Sequence, residues 1–374
     1  MLLACVSLAS CETTRAPPPV AEPIPPLVAS PPAVAPPSAP LSANGAFTVH
    51  VVDVGTGLGV FVEGPDFTLV YDAGSNDDLA LGVRNRFVAY LRAARPNLTT
   101  IDAVVLSHPH RDHVELLPDV LAAYRVKSVW DSGAVNPICA YRRFVEAVRG
   151  APGLVYHSAR LPAGAHAIDF PKNECGAATS IALFHGEQIV APMTVRLGER
   201  ATMTILHADG AHHESFNDNS TVAMLDLGGV RVLLMGDAEA GGRERPTSAP
   251  TRGSVEGKLL ACCRAALDAD VLVVGHHGSK SSSRKALLDA VTPTISVISS
   301  GPTRYATVTL PDAVIVDELA RYGEVLRTDR DDDACGRNAH KIGPDADGRP
   351  GGCDNVVVEI RDGVATGRYA TVTD

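Results

Sequence analysis

Residues 107–113 read Ser-His-Pro-His-Arg-Asp-His, which sets His108, His110, Asp112 and His113 in an H-x-H-x-D-H pattern. Imidazole nitrogen and carboxylate oxygen are the usual ligands of zinc and its neighbours, and paired-metal sites serve many hydrolases. Neither a packed core nor an ordinary solvated surface calls for three imidazoles and a carboxylate at that spacing. Alternation along an extended loop points His108 and His110 one way and leaves Asp112 and His113 for an adjacent position. Further candidates follow other apolar runs: Asp72 ends one, Asp237 follows Met235-Gly236, and His276-His277 follow Val271-Leu-Val-Val-Gly275. A carboxylate presented where Asp237 stands can bridge two cations.

Ligands of this kind need rigid supports, and the chain supplies them. Ile101-Asp-Ala-Val-Val-Leu106 is the apolar run of a buried strand, so the cluster sits on the loop where that strand ends. Strands are expected at 49–53, 60–63, 67–71, 126–130, 201–206, 221–226, 230–235, 270–275, 294–298 and 356–360. Helical periodicity runs over 79–94, 114–124, 138–149, 256–267, 284–291 and 312–322. Strands interleaved with helices imply an α/β fold of mixed sheets covered by helices. With no repeat and no internal linker, residues 46–374 form one domain.

The residues before 46 are of another kind. Met1-Leu-Leu-Ala-Cys-Val-Ser-Leu-Ala-Ser10 is a short apolar run, and Leu8-Ala-Ser-Cys11 resembles a bacterial lipobox, cut before a cysteine that takes the lipid. It lacks the positively charged n-region of a signal peptide; an ordinary secretory signal is the alternative. Residues 11–45 are dense in proline, which forbids helix and ladder and favours an extended polyproline II tether. The expectation is an exported, periplasmic or cell-surface lipoprotein held to a membrane through Cys11. Cysteine usage agrees with an oxidising compartment. Cys335 and Cys353 flank a polar loop, Cys139 and Cys175 bracket an insertion, and adjacent Cys262 and Cys263 read as buried thiols in a helix. No C-x-x-C pair suggests a cysteine metal site.

The motifs, taken in order, resemble the metallo-β-lactamase superfamily, in the branch typified by the C-terminal domain of the competence protein ComEC. Its H-x-H-x-D-H stands at 108–113. Its D-V-G-Q-G-D turn and I-D-A-G appear as Asp53-Val-Gly-Thr-Gly-Leu-Gly59 and Tyr71-Asp-Ala-Gly74. Its N-x-S-L-V and G-D-x-E appear as Asn217-Asp-Asn-Ser-Thr-Val222 and Gly236-Asp-Ala-Glu239, and its A-D-V-L-x-V-G-H-H-G-S as Ala269-Asp-Val-Leu-Val-Val-Gly-His-His-Gly-Ser279. The similarity spans 47 to about 330 and implies a metallo-β-lactamase-like αββα sandwich with two divalent metals, Zn2+ first and Mn2+ as the alternative, at one edge. It implies that His108 and His110 hold one ion and that Asp112, His113 and one of His276 or His277 hold the second. His276 is favoured because it comes directly off its strand. Asp237 would bridge, and Asp72 would orient a ligand or the attacking water. Ser279 and Lys280, opening a helical pattern, either receive an anionic substrate group or simply cap a solvated helix.

Two departures bear on substrate. The carboxylate of Q-G-D is replaced, since Leu58-Gly59 follow Gly57, and the family's tyrosine-glycine-histidine-proline element appears as Arg304-Tyr-Ala-Thr-Val-Thr-Leu-Pro311 without a histidine. A third imidazole for the first ion is unassigned, with His207, His212 and His213 as candidates against a plain exposed loop. Metal-assisted hydrolysis is the implied chemistry. Neither a G-x-S-x-G nucleophile nor a G-x-x-x-x-G-K phosphate cradle is present. A phosphodiester is the first substrate class, with nucleic acid included. A small ester such as a lactam or lactone is the second, and a metal-stabilised binding lipoprotein without turnover the third. A net charge of −10 restrains the nucleic-acid reading. Arg142-Arg143, Arg243, Arg245 and Arg252 are the local basic residues, more in keeping with a solvated face than with a patch.

Overall fold

In a computed structural model, residues 46–78, 81–330 and 354–370 are described. They lie in one compact unit, Pro40–Asp374. The lipobox with Cys11, the proline-rich segment, Cys335 and Cys353 lie outside the described residues.

The chain opens with β1 Phe47–Val51, β2 Gly59–Glu63 and β3 Thr68–Ala73, then α1 Arg86–Ala94 and β4 Thr100–Leu106. Next come α2 Arg111–Val114, α3 Leu117–Ala123, β5 Arg125–Asp131, α4 Cys139–Gly150, β6 Val155–Ser158, β7 Gly164–Phe170 and β8 Thr179–His185. A second series holds β9 Met193–Gly198, β10 Ala201–His207, β11 Val222–Leu227, β12 Val230–Leu234, α5 Val255–Cys262, β13 Val271–Val273, α6 Lys285–Val291 and β14 Ile295–Ile298. A small hairpin of β15 Arg304–Tyr305 and β16 Val308–Thr309, then α7 Ala313–Leu319 and β17 Glu324–Arg327, precede the closing pair β18 Val356–Arg361 and β19 Val364–Tyr369.

Two mixed sheets result, ordered β19-β18-β1-β2-β3-β4-β5-β6-β8-β7 and β17-β14-β13-β12-β11-β10-β9. Between their inner faces lies a dry layer in which Val49, Val60, Leu69, Tyr71 and Val105 meet Met203, Leu225, Val232, Val271 and Val297. The outer face of the first sheet is covered by α1, α3 and α4 through Phe87, Leu91, Val120, Tyr141 and Phe144. The other sheet is covered by α5, α6 and α7 through Leu259, Leu287, Leu288, Ile315 and Leu319. Since both faces of each central strand are buried, those strands carry continuous apolar runs, the signal that made them readable. The αββα sandwich expected from the resemblance is the fold observed.

Element bounds shift where local chemistry intervenes. The periodicity from 79 begins as a 3-10 turn at Gly82–Arg84, and α1 itself starts at Arg86 because the Asn85 side chain accepts from the Val88 amide at 2.8 Å. Cys262 and Cys263 are not buried thiols: Cys262 ends α5 in an exposed position and is disulfide-bonded to Cys263. Cys139 and Cys175 are bonded across the insertion they bracket.

Candidate metal centre

The cluster at 108–113 lies beyond β4 and turns at once into α2, so Asp112 and His113 ride on a helical turn and not on an extended loop. Backbone contacts fix that turn from below. The Leu58 amide donates to the Asp112 carbonyl at 2.9 Å, and Gly74 packs so tightly that a Cβ there would stand 2.2 Å from the His113 nitrogen. Gly57 and Gly74 thus let backbone approach backbone, since a Cβ on Gly57 would in turn stand 2.2 Å from the Gly74 carbonyl oxygen.

Each histidine is then aimed by its neighbours. The Asp72 carboxylate accepts from the Ser107 amide (2.7 Å), the Ser107 hydroxyl (2.6 Å) and His113 Nδ1 (2.8 Å). His108 Nδ1 lies 3.0 Å from the Ser107 hydroxyl, leaving its Nε2 2.9 Å from His110 Nδ1. His277 Nδ1 donates to the Ser299 carbonyl at 2.9 Å. His276 Nδ1 is held by the Ser281 hydroxyl at 2.8 Å and by Glu239 at 3.0 Å. Asp72, His276 and His277 all adopt left-handed φ of 55°, 50° and 52°, a strained conformation for such residues that functional sites commonly retain.

Asp237, in the turn just beyond β12, sits where these groups converge. One carboxylate oxygen lies 3.2 Å from His113 Nε2 and 3.6 Å from His277 Nε2; the other lies 3.7 Å from His108 Nε2 and 3.9 Å from His276 Nε2. Asp112 closes the first of these groups, 3.8 Å from His277 Nε2, and accepts from the Tyr305 hydroxyl at 2.7 Å and the Asn76 amide at 3.0 Å. His113 Nε2, His277 Nε2 and Asp237 Oδ1 are buried without a hydrogen-bond partner. With their Nδ1 atoms already donating, the imidazoles present lone pairs to a carboxylate, and buried acceptors facing acceptors are costly unless a cation lies among them. The donor set fits divalent ions at two adjoining places: Asp112, His113 and His277 stand together, and so do His108, His113 and Asp237, with His110 beside His108 and His276 3.9 Å from the second Asp237 oxygen. Burial alone would depress His113, but Asp237 and Asp72 hold it well above the usual imidazole range. Burial would likewise raise Asp237, and the imidazoles of His113, His277 and His276 hold it well below the usual carboxylate range.

The preference for His276 over His277 beside Asp112 and His113 is therefore reversed. A strand end fixes which residue emerges first, but the backbone is left-handed at both positions and both rings line the cavity; the buried one beside Asp112 and His113 belongs to His277, while His276 stands at the other Asp237 oxygen. None of the three candidates for a third imidazole joins the site: His207 Nδ1 lies 2.8 Å from the Ser220 carbonyl, His213 pairs with Asp209 at 3.0 Å, and exposed His212 lines a neighbouring cavity. A cavity of about 850 Å3 opens over the centre, lined in part by Asn76, His110, Asn217, Glu239, Arg243 and Tyr305. Ser279 lines it too and accepts from Arg243 at 2.9 Å; Lys280 does not, its amide instead donating to Asp312. Arg243, read from sequence as part of a solvated face, is pinned in the cavity wall by Ser279 and by Asp312 at 2.7 Å.

A profile of the metallo-beta-lactamase superfamily matches residues 52–301, more than half of the chain. The chain belongs to the metallo-β-lactamase superfamily. Among curated relatives, Recombination protein 2 of Haemophilus influenzae is 28% identical over 274 residues, covering 73% of this chain and 26% of that protein. ComE operon protein 3 of Bacillus subtilis is 28% identical over 141 residues (37% and 16%), and Competence protein ComA of Neisseria gonorrhoeae 35% over 115 residues (30% and 14%). The chain thus spans about a quarter or less of the relatives it matches. Among solved structures, the metallo-β-lactamase fold protein YhfI of Bacillus subtilis aligns with a TM-score of 0.41 at 13% identity over 76% of this chain and 97% of that one. Human tRNase Z, short form, aligns at 0.38 and 14% identity over 66% and 91%. The superfamily's metal-dependent hydrolase fold, in its ComEC-like branch, is the frame in which the centre sits.

Within that frame Asp72 acts through His113. Asp72→Asn preserves size but removes the charge and puts an amide NH2 in place of one of the two oxygens that serve Ser107 and His113, so metal affinity should fall about 10- to 100-fold in a chelator competition. Unchanged affinity would show that Asp72 serves the fold alone.

Proposed function

We propose that this chain is a metal-dependent phosphodiesterase whose substrates include nucleic acid, tethered outside the cytoplasm by a lipid on Cys11. The observation that carries the hydrolase reading is Asp237, whose two oxygens face two separate sets of imidazoles. Divalent ions held there, Zn2+ or Mn2+, would supply Lewis acidity toward the scissile ester and an attacking water. The protein's own residues do the rest. Asp72, Ser299, Ser281 and Glu239 hold the ring nitrogens that must not turn, and Tyr305 and Asn76 fix Asp112. Arg243, anchored by Ser279 and Asp312, offers a guanidinium to an anionic substrate in the cavity. The relatives' names, which refer to recombination and competence, support a nucleic-acid substrate. The purified, metal-loaded protein should hydrolyse bis(p-nitrophenyl) phosphate and leave a chromogenic β-lactam intact. Turnover of the lactam alone would replace the phosphodiester, and turnover of neither substrate nor nucleic acid would favour a binding protein.

Among the described residues no helix is long and apolar enough to cross a membrane. Attachment is proposed to rest on Leu8-Ala-Ser-Cys11. Cys11→Ser should move the protein from the membrane to the soluble fraction; a wild type already soluble with an intact N-terminus would refute the tether.

A further inference from the structure

A second cavity, about 490 Å3, lies beside the metal centre and is lined by Val135, Arg160, Asp209, Ala211, His212 and Phe216 among others. Its size falls within the roughly 300–1,000 Å3 of small-ligand sites. Phe216 forms the boundary between the two spaces: its half-buried ring stands edge-on to His110, centroids 5.7 Å apart, while the next residue, Asn217, lines the metal cavity. At the far wall is Arg160, exposed and making no ion pair or hydrogen bond among the described residues. The carboxylate nearest to hand does not neutralise it, because Asp209 is engaged by the Ala211 amide at 2.8 Å, His213 at 3.0 Å and Lys258 at 3.7 Å. The wall is built and not incidental. Buried Asn219 donates its amide to the carbonyls of Asp209 and Ala211, and Gly210 packs on the Arg160 stem, where a Cβ would approach the arginine Cβ to 2.5 Å.

An unpaired guanidinium and an aromatic face, one ring away from a hydrolytic centre, match the chemistry of a single nucleotide: phosphate to arginine, base to ring. We propose that this cavity is a subsite for the nucleotide adjoining the scissile phosphodiester, with Arg160 taking its phosphate and Phe216 stacking its base. The proposal rests on the phosphodiesterase reading and sharpens it: the substrate is a single strand that continues past the metals. In a chain of net charge −10, one placed cation has a disproportionate effect on a polyanion.

The test is binding of a fluorescent, cleavage-resistant phosphorothioate adenine octamer to the metal-loaded full-length protein, followed by anisotropy at several salt concentrations, with small-diester turnover measured alongside. Arg160→Gln should weaken binding about tenfold, and the slope of log K against log salt should become shallower by about 0.7, the value for one phosphate contact on a single strand. Phe216→Leu should weaken binding without changing that slope. Arg125→Gln, a charge-matched change at the opposite end of β5, should alter neither quantity. Failure of the octamer to bind, or equal slopes in wild type and Arg160→Gln, overturns the subsite. Diester turnover with equal slopes leaves the hydrolase reading standing without it, and octamer binding with the expected slope change but no diester turnover does the reverse. A ribose octamer run in parallel distinguishes RNA from DNA as the strand.

Discussion

Asp237→Ala should lower kcat/KM on a phosphodiester by roughly a thousandfold or more, about 4 kcal/mol of transition-state stabilisation, while changing the fold little. The two oxygens of this carboxylate face imidazoles on both sides, so on the proposed reading its loss removes a ligand shared by both ions and with it the spacing on which hydrolysis would depend. Its contribution to the fold is small by comparison. The Asp237 amide donates to the Ser220 hydroxyl at 3.1 Å, a bond that alanine keeps, and Oδ1 has no hydrogen-bond partner to lose. Kinetics and thermal unfolding of the same preparation separate the two effects. A variant that loses activity only in proportion to its folded fraction would mean that Asp237 is structural.

The purified protein should carry between one and two transition-metal ions, and the double change of His108 and His110 to alanine should remove them together, read by elemental analysis. Coupled loss follows from geometry: Asp237 belongs to both sets, so emptying one side leaves its second oxygen facing a vacated neighbourhood and weakens the other. Removing the metal should also lower the unfolding temperature, because an ion at a hundredfold excess over its Kd stabilises the folded state by about 2.7 kcal/mol. The buried Nε2 atoms of His113 and His277, which face the Asp237 oxygen without a hydrogen-bond partner, are the physical origin of that effect. A metal-free protein that is folded and fully active would exclude this account.

Much of the centre was legible because its ligands follow strand ends and lie close in sequence. H-x-H-x-D-H needs only β4 and the turn after it, and Asp237 needs only β12. The central strands were legible for a related reason: buried on both faces, they carry apolar runs that nothing else in the chain imitates. What escaped reading depends on contacts remote in sequence. Arg243 reaches the site from a surface loop and Tyr305 from the β15–β16 hairpin, held by Asp312 and Asp112, and no local pattern distinguishes a pinned arginine from a solvated one. The order of His276 and His277 turned on backbone dihedrals that residue types do not announce. Strands β6 to β9, β17 and β19 were missed because they lie toward the sheet margins, where small and polar residues dilute the apolar run. In β7, Gly164-Ala-His-Ala-Ile-Asp-Phe170, burial alternates through residues too mixed in type to betray a period. The vicinal Cys262–Cys263 bond was read as two core thiols because α5 was extended to 267, past its end at Cys262.

The most direct test titrates Zn2+ or Mn2+ into chelator-stripped protein while the hydrolysis of bis(p-nitrophenyl) phosphate is followed. The stripped protein should be inactive, the rate should rise to a plateau near two equivalents, and Asp237→Ala should stay flat throughout. Full activity in the stripped protein, or no turnover at any metal ratio, would contradict a two-metal hydrolase.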